Sequence, residues 1–366
     1  MRKPMVFALL LCLFVSVNAF AAKKKSDTQY DFGDGPVALK TLAELSAKEG
    51  TAFVTYGIPE NWAGYKEIFE VFNKRYGKQH FDTDLSSGEE IAKMKAEQGN
   101  PQADVGDIGI TWGPKAVSEG VPAKYKHKFW NEIPASYKDP EGHWCAWYEG
   151  TFMFMVNEDL VEKVPATWND LLDPAYKGKV TIGDPRTAAM YLAAFWAANL
   201  AMGGSETNLT PGIEYFRQLR ESGNMSMINP SKAAFAKGEV PVYFGWDYLF
   251  LNWARELRAE AEMNISTVIP SDGSVSFPYA YMINKVAPHP ATARLFVEFM
   301  FSDEGQILNA KYFARPARKS VKLPADIEAL YPPKTAYQRV KPFDWIKSEA
   351  TKEEFIRRWT NEVLGE

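Results

Sequence analysis

Cysteine is nearly absent: the 366 residues hold two, Cys12 and Cys145. Cys12 lies in the apolar run at the N-terminus, so a chain trimmed of that run has no internal disulfide, and none is required at this size. Cys145 sits in Trp144-Cys145-Ala146-Trp147-Tyr148, which predicts a buried structural thiol rather than a nucleophile. Histidine is scarce too, with four residues. No two of His80, His127, His143 and His289 share ligand spacing on a helix or strand, so no metal is expected. His289, between two prolines, reads as a surface-loop residue. Positive charge is not in excess: 42 Lys and Arg against 46 Asp and Glu give a net charge of −4. That balance lacks the basic footprint of a nucleic-acid binder. Nucleophile elbow, phosphate loop and dinucleotide fingerprint are all missing, and Gly106-Asp107-Ile108-Gly109 lacks the third glycine such a fingerprint needs. The acidic pairs Glu89-Glu90 and Asp303-Glu304 read as solvated helix-face charges. The chain is therefore expected to be no enzyme and to carry no cofactor, with a secreted hydrolase as the lesser alternative.

Long hydrophobic runs are confined to the first residues. Arg2 and Lys3 precede an apolar stretch from Val6 to Val17, and Ala19-Phe20-Ala21 follows as a small-x-small cleavage pattern. The stretch is shorter than the ~20 residues of a membrane span. A signal peptide over 1–21, cleaved near Ala21, is expected, and with it export to the periplasm. The remaining chain exceeds what one ordinary core holds, roughly 250–300 residues, so two lobes are predicted. Hydrophobic residues at 46% and aromatics at 14% supply well-filled cores.

Residues 22–48 are polar and weakly patterned, and read as an N-terminal arm. Beyond them short β-like runs alternate with helical spacing, the sign of an α/β architecture. Ala52–Tyr56 reads as the first strand. Ile68, Phe69, Phe72 and Tyr76 repeat at helical intervals, and Ser86 and Ser87 each precede a glutamate by three residues, the capping-box arrangement. Asp104 to Ile110, Lys179 to Ile182, Val240 to Phe244 and Phe277 to Ile283 read as further strands. Helices are expected from about Thr187 and over Pro290 to Met300.

Five segments in order carry a family resemblance. The run Val164-Pro165-Ala166-Thr167-Trp168, continuing through Asp173-Pro174 to Gly178-Lys179-Val180, resembles a hallmark of bacterial extracellular solute-binding proteins. Ser86 to Glu97 running into Asn100-Pro101, Ile182-Gly183-Asp184-Pro185-Arg186, Ala236 to Gly245, and Phe299 to Gln306 followed by Ala314-Arg315-Pro316 are similar to other segments of that group. The resemblance covers about Thr51 to Leu323. It implies a two-lobed periplasmic-binding-protein fold of type II-like α/β architecture, with the ligand cleft between lobes. The expected boundaries are 49–146 plus 275–312 for lobe 1 and 147–274 plus 313–366 for lobe 2. It also implies a small-molecule solute, a membrane permease of an ABC importer as partner, and a monomer.

The resemblance places two anion-binding helix N-termini in the cleft: Ser86, Ser87 and Gly88 in the first lobe, Arg186 and Thr187 in the second. Ala188 and Ala189 follow where the family carries further donors. Thr111 and Trp112, Glu149, and Trp246, Asp247 and Tyr248 fall at strand ends or at the inter-lobe crossing, and Tyr56 and Tyr191 complete the candidates. Aromatic faces beside carboxylates suit an amine-bearing solute, with Asp247 and Glu149 as acceptors and Trp112, Trp246 and Tyr248 as stacking faces. A polyamine or aminophosphonate is the expected cargo, and a sugar phosphate the alternative. Ferric iron comes third, because Tyr248 is followed by Leu249 where iron-binding relatives use two adjacent tyrosines.

Overall fold

A computed structural model describes Tyr30 and residues 32–186, 188–226 and 228–366. The candidate export signal over 1–21 lies outside the described residues. Ten strands form one curled sheet: β1 (Ala52–Tyr56), β2 (Gln79–Thr83), β3 (Val105–Gly109), β4 (Cys145–Asn157), β5 (Val180–Thr181), β6 (Met225–Ser226), β7 (Val242–Trp246), β8 (Ile265–Val268), β9 (Ser276–Ile283) and β10 (Arg315–Pro316). The main path runs β2-β1-β3-β9-β4-β7-β5-β6, with β8 and β10 also on β4.

Strand β4 explains the two lobes. It is 13 residues long and buried throughout, and spans roughly 40 Å at ~3.3 Å per residue. Its first part, Cys145 to Thr151, pairs with β9, which pairs with β3. Its second part, Phe152 to Val156, pairs with β7, which continues to β5. One half of the sheet thus holds β1, β2, β3 and β9, and the other holds β5, β6, β7 and β8. The chain crosses between them on β4 and again between β8 and β9. Within each half the strands β1-β2-β3 and β5-β6-β7 are fed by helices on the expected period. Ile68, Phe69 and Phe72 are buried on the helix Tyr65–Tyr76, and Pro290–Phe301 is buried on every side. Cys145 is fully buried, as its aromatic setting implied.

Three expectations need correction. The arm does not extend to residue 48: Leu39–Lys48 is a helix with Leu42 and Ser46 buried. Ser46 Oγ meets Thr292 Oγ1 at 2.8 Å. The Glu49 carboxylate accepts the backbone N–H groups of Ala291 and Thr292 at 2.9 and 2.8 Å, satisfying donors at the start of Pro290–Phe301. The sparse apolar content of this stretch hid it, because one leucine and one carboxylate suffice to dock it. His289 is not a free surface residue either. Its backbone N–H and Nδ1 both meet Asp104, at 2.7 and 3.0 Å. Glu90, finally, is not solvated: it is 1% exposed and faces inward from the helix Ser87–Ala96.

Candidate functional site

The first-lobe candidates lie around the end of β3. Ser86 is the N-cap of the helix Ser87–Ala96, and its N–H and hydroxyl donate to Glu89 Oε2 at 2.9 and 2.6 Å. The chain's own carboxylate therefore already sits on that helix start. Ser87 Oγ accepts the N–H of Gly109 at 3.0 Å and ties the loop to β3. Gly88 makes room for Trp112, since a Cβ there would stand 2.8 Å from the indole. Thr111 and Trp112 are half-buried, and Lys352 Nζ rests 5.6 Å from the centre of the Trp112 ring. Tyr56 points away from this group. It is buried, and its hydroxyl donates to Glu97 Oε2 at 2.8 Å at the far end of the helix.

In the second lobe Arg186 is held by its own loop. Its Nε and Nη2 bond to Asp184 at 2.7–3.0 Å, and Nη1 reaches Thr360 Oγ1 and Glu366 Oε2 at 3.0 and 3.1 Å. Thr187 lies outside the described residues. Tyr191 packs over Gly183, where a Cβ would stand 2.2 Å from its ring. Trp246 is 1% exposed, stacked on Phe277 at 5.6 Å and edge-on to Phe152. Tyr248 is equally buried, edge-on to Trp62 at 5.1 Å and Tyr148 at 5.9 Å. The rings of Trp246 and Tyr248, expected as stacking faces, are placed by this packing among core aromatics.

Glu149 and Asp247 meet at the hinge, where β4 passes from one half of the sheet to the other. Between them stands Arg315 of β10. Its Nη2 lies 2.8 Å from Glu149 Oε1 and 2.9 Å from Ser276 Oγ, and its Nε lies 3.5 Å from Asp247 Oδ2. Lys319 and Tyr137 also donate to Glu149. Asp247 accepts the N–H groups of Thr151 and Tyr248 at 2.8 and 2.9 Å and the Tyr337 hydroxyl at 3.2 Å. The Tyr337 ring covers the Arg315 guanidinium at 4.4 Å. Burial would raise the Glu149 pKa, but Arg315 and Lys319 more than offset it and hold it below the usual carboxylate range. Burial dominates at Asp247, pushing it up to about 7 against the pull of Arg315. Neither carboxylate is free for a solute's amine, because each is 2% exposed or less and faces a protein cation.

This hinge cluster opens into a cavity of about 970 Å³, within the size of small-solute sites. Five cations line it (Arg315, Arg318, Lys319, Lys322 and Lys334) against two carboxylates, Glu149 and Glu328. Tyr331 and Tyr337 form part of its outer wall. Sequence reasoning missed Arg315, Lys319 and Tyr337. Arg315 carried a signal: it stands alone among Phe313, Ala314, Pro316 and Ala317, and a lone cation in an apolar run needs a buried partner. The tyrosines lie in a proline-rich stretch with no periodicity to read. Among the described residues no group of three or more His, Cys, Asp or Glu is placed to hold a metal.

Comparison with known proteins gives concordant matches. A model of the family described as bacterial extracellular solute-binding protein matches residues 100–348. An uncharacterized protein of Haemophilus influenzae is 30% identical over 321 residues, covering 81% of this chain and 87% of that protein. A periplasmic protein of Salmonella typhimurium named for 2-aminoethylphosphonate binding is 24% identical over 249 residues, 66% of this chain and 70% of its own. Among solved structures, the periplasmic binding protein of Actinobacillus pleuropneumoniae with exogenous fructose-6-phosphate bound aligns with a TM-score of 0.68. It is 24% identical and covers 86% of this chain and 99% of its own.

Proposed function

The chain belongs to the bacterial extracellular solute-binding proteins, and from that premise we propose that it is a periplasmic receptor for a small organic phosphonate or phosphate ester, with the anionic head in the hinge cavity. It is the solute-binding component of an ABC importer. The observation that carries the solute class is the charge arrangement at the hinge. Arg315 and Lys319 pair with the two carboxylates an amine would need. Arg318 is held by Glu132 and Asp303 and Lys334 by Glu328, which leaves Lys322 as the lining cation outside these pairs. Lys322 is exposed on the cavity lining and can turn toward an incoming oxyanion. Tetrahedral oxyanions reward such donors with charge-assisted hydrogen bonds. The relatives named for 2-aminoethylphosphonate binding and solved with fructose-6-phosphate support the same class, since both ligands carry a phosphorus oxyanion. For a free polyamine both lining carboxylates are already paired, Glu149 with Arg315 and Lys319 and Glu328 with Lys334.

Closure of the lobes around the solute and docking of the closed form on a membrane permease follow from the two-lobed fold. A monomer with no nucleic-acid partner, an export signal cleaved near Ala21 and release of the solute unconverted complete the reading. Calorimetric titration of the mature protein with 2-aminoethylphosphonate, fructose-6-phosphate, spermidine and ferric citrate tests it. Binding of at least one of the first two is expected, weakened about tenfold by Lys319→Ala combined with Lys322→Ala. Binding of spermidine alone sinks the solute class. A phosphorus NMR spectrum of the bound compound, unchanged after overnight incubation, checks that no turnover occurs.

A further inference from the structure

The family model ends at residue 348, and the chain from Ala325 to its last residue touches each part of the molecule that a closing receptor must move. Its first stretch, from Ala325 to Tyr337, walls the hinge cavity. The Lys341 N–H then donates to the carbonyl of Ser274 at 2.7 Å. The Trp345 indole donates to the carbonyl of Ser276 at 2.8 Å and stands edge-on to Phe277 at 4.7 Å. Both contacts fall on the crossing into β9. The short helix Trp345–Ser348 packs against Ile110–Trp112 at the end of β3, and Lys352 follows with its Nζ over the Trp112 ring.

From Phe355 onward the segment is sunk into the other half of the molecule. Phe355, Trp359, Val363 and Leu364 are buried. Phe355 meets Phe195 at 4.5 Å, and Trp359 meets Phe216 at 5.2 Å. Arg220 donates to the carbonyl of Val363 at 2.6 Å, and Arg186 reaches Thr360 and Glu366. The two attachments are unequal. Four buried side chains hold the segment to the β5–β7 half, while the β3 side is held by one buried aromatic, Trp345 at 5% exposed, and by Lys352, which is 47% exposed.

We infer that this C-terminal segment is a latch. It is fixed to one lobe, presses Trp345 to Lys352 against Trp112 of the other, and so sets how readily the lobes part. The inference rests on the reading of the chain as a lobe-closing receptor. It adds that the same segment lines the solute cavity, so occupancy of the cavity and separation of the lobes are sensed by one stretch of chain. The weak contact is the one that opens: an exposed cation–π pair is worth up to about a fivefold change in the open-to-closed ratio.

The test uses the mature protein, trimmed of residues 1–21 and with them of Cys12, without solute. Spin labels on Lys48→Cys and Lys237→Cys, exposed positions in the two halves, report the lobe separation by pulsed electron resonance. The third thiol, Cys145, is buried and its pKa is pushed up by that burial, so it does not compete for the label. Lys352→Ala should raise the long-distance population about fivefold, and Lys352→Arg should leave it as in the parent. Superposable distributions for parent and Lys352→Ala overturn the latch. A second arm adds 2-aminoethylphosphonate and then fructose-6-phosphate. If neither narrows the distribution while the Lys352→Ala effect stands, the solute assignment fails and the latch survives.

Discussion

At the scale of the residue, Arg315 is the position on which the hinge depends. It faces two buried carboxylates and is itself mostly enclosed, so its removal leaves charge in a medium that cannot solvate it. Arg315→Ala should lower unfolding stability by about 3–5 kcal/mol, measured by urea denaturation. Arg315→Ala combined with Glu149→Gln should recover part of that loss, because one uncompensated charge then disappears. Glu90 makes a different prediction. Burial, then the neighbouring charges of Asp107 and Asp82, raise its pKa well above the ordinary value. The folded protein therefore keeps a proton that the unfolded chain has released, and stability falls as pH rises above the unfolded carboxylate range. Glu90→Gln, neutral at every pH, should be more stable than the parent at pH 8 and lose that advantage toward pH 4. A constant difference across that range would show that Glu90 is not protonated in the fold. The side chain was legible in the sequence only as half of an acidic pair. Helical phase decides that Glu89 stays on the surface as a capping partner while Glu90 turns under Gly57 and Gly106, whose missing Cβ atoms admit it.

At the scale of the element, β4 and the helix Leu39–Lys48 show what pattern can and cannot reveal. Only the aromatic stretch around Cys145 was legible as buried; the strand itself went unread, because a strand buried on both faces shows no alternation. Its double pairing, with β9 and β10 up to Thr151 and with β7 and β8 after, depends on partners from 86 (Val156 to Val242) to 168 (Tyr148 to Pro316) residues away. The N-terminal helix was unreadable for the opposite reason, since its docking rests on Leu42, Ser46 and Glu49. Glu49→Ala should cost about 1–2 kcal/mol and raise hydrogen exchange selectively over 39–48. Unchanged exchange there would show that the carboxylate does not hold the helix. The strands at Ala52, Val105, Val180 and Val242 were legible because β-branched and aromatic residues cluster there between turn residues.

At the scale of the molecule, binding and folding are linked. A solute at 100 times its dissociation constant adds about 2.7 kcal/mol to the stability of the folded receptor. Thermal unfolding with 2-aminoethylphosphonate or fructose-6-phosphate in that excess should therefore shift the midpoint upward by several degrees, and spermidine should not. A shift with spermidine alone would move the solute back to the cationic class.

The sequence by itself determined the kind of molecule. Length demanded more than one core, alternation of strand and helix patterns demanded an α/β fold, and ordered short motifs pointed to a family confirmed over residues 100–348. Each of these signals is local, written in neighbours a few residues apart. The tertiary structure alone decided which charges are available. Glu149 and Asp247 look like free acceptors in the chain, and Trp246 and Tyr248 look like open faces. Arg315 neutralises the first two and packing closes the second two, from positions far away in sequence. Coulomb attraction and burial act through space, so the partner that cancels a charge leaves no mark beside it in the sequence.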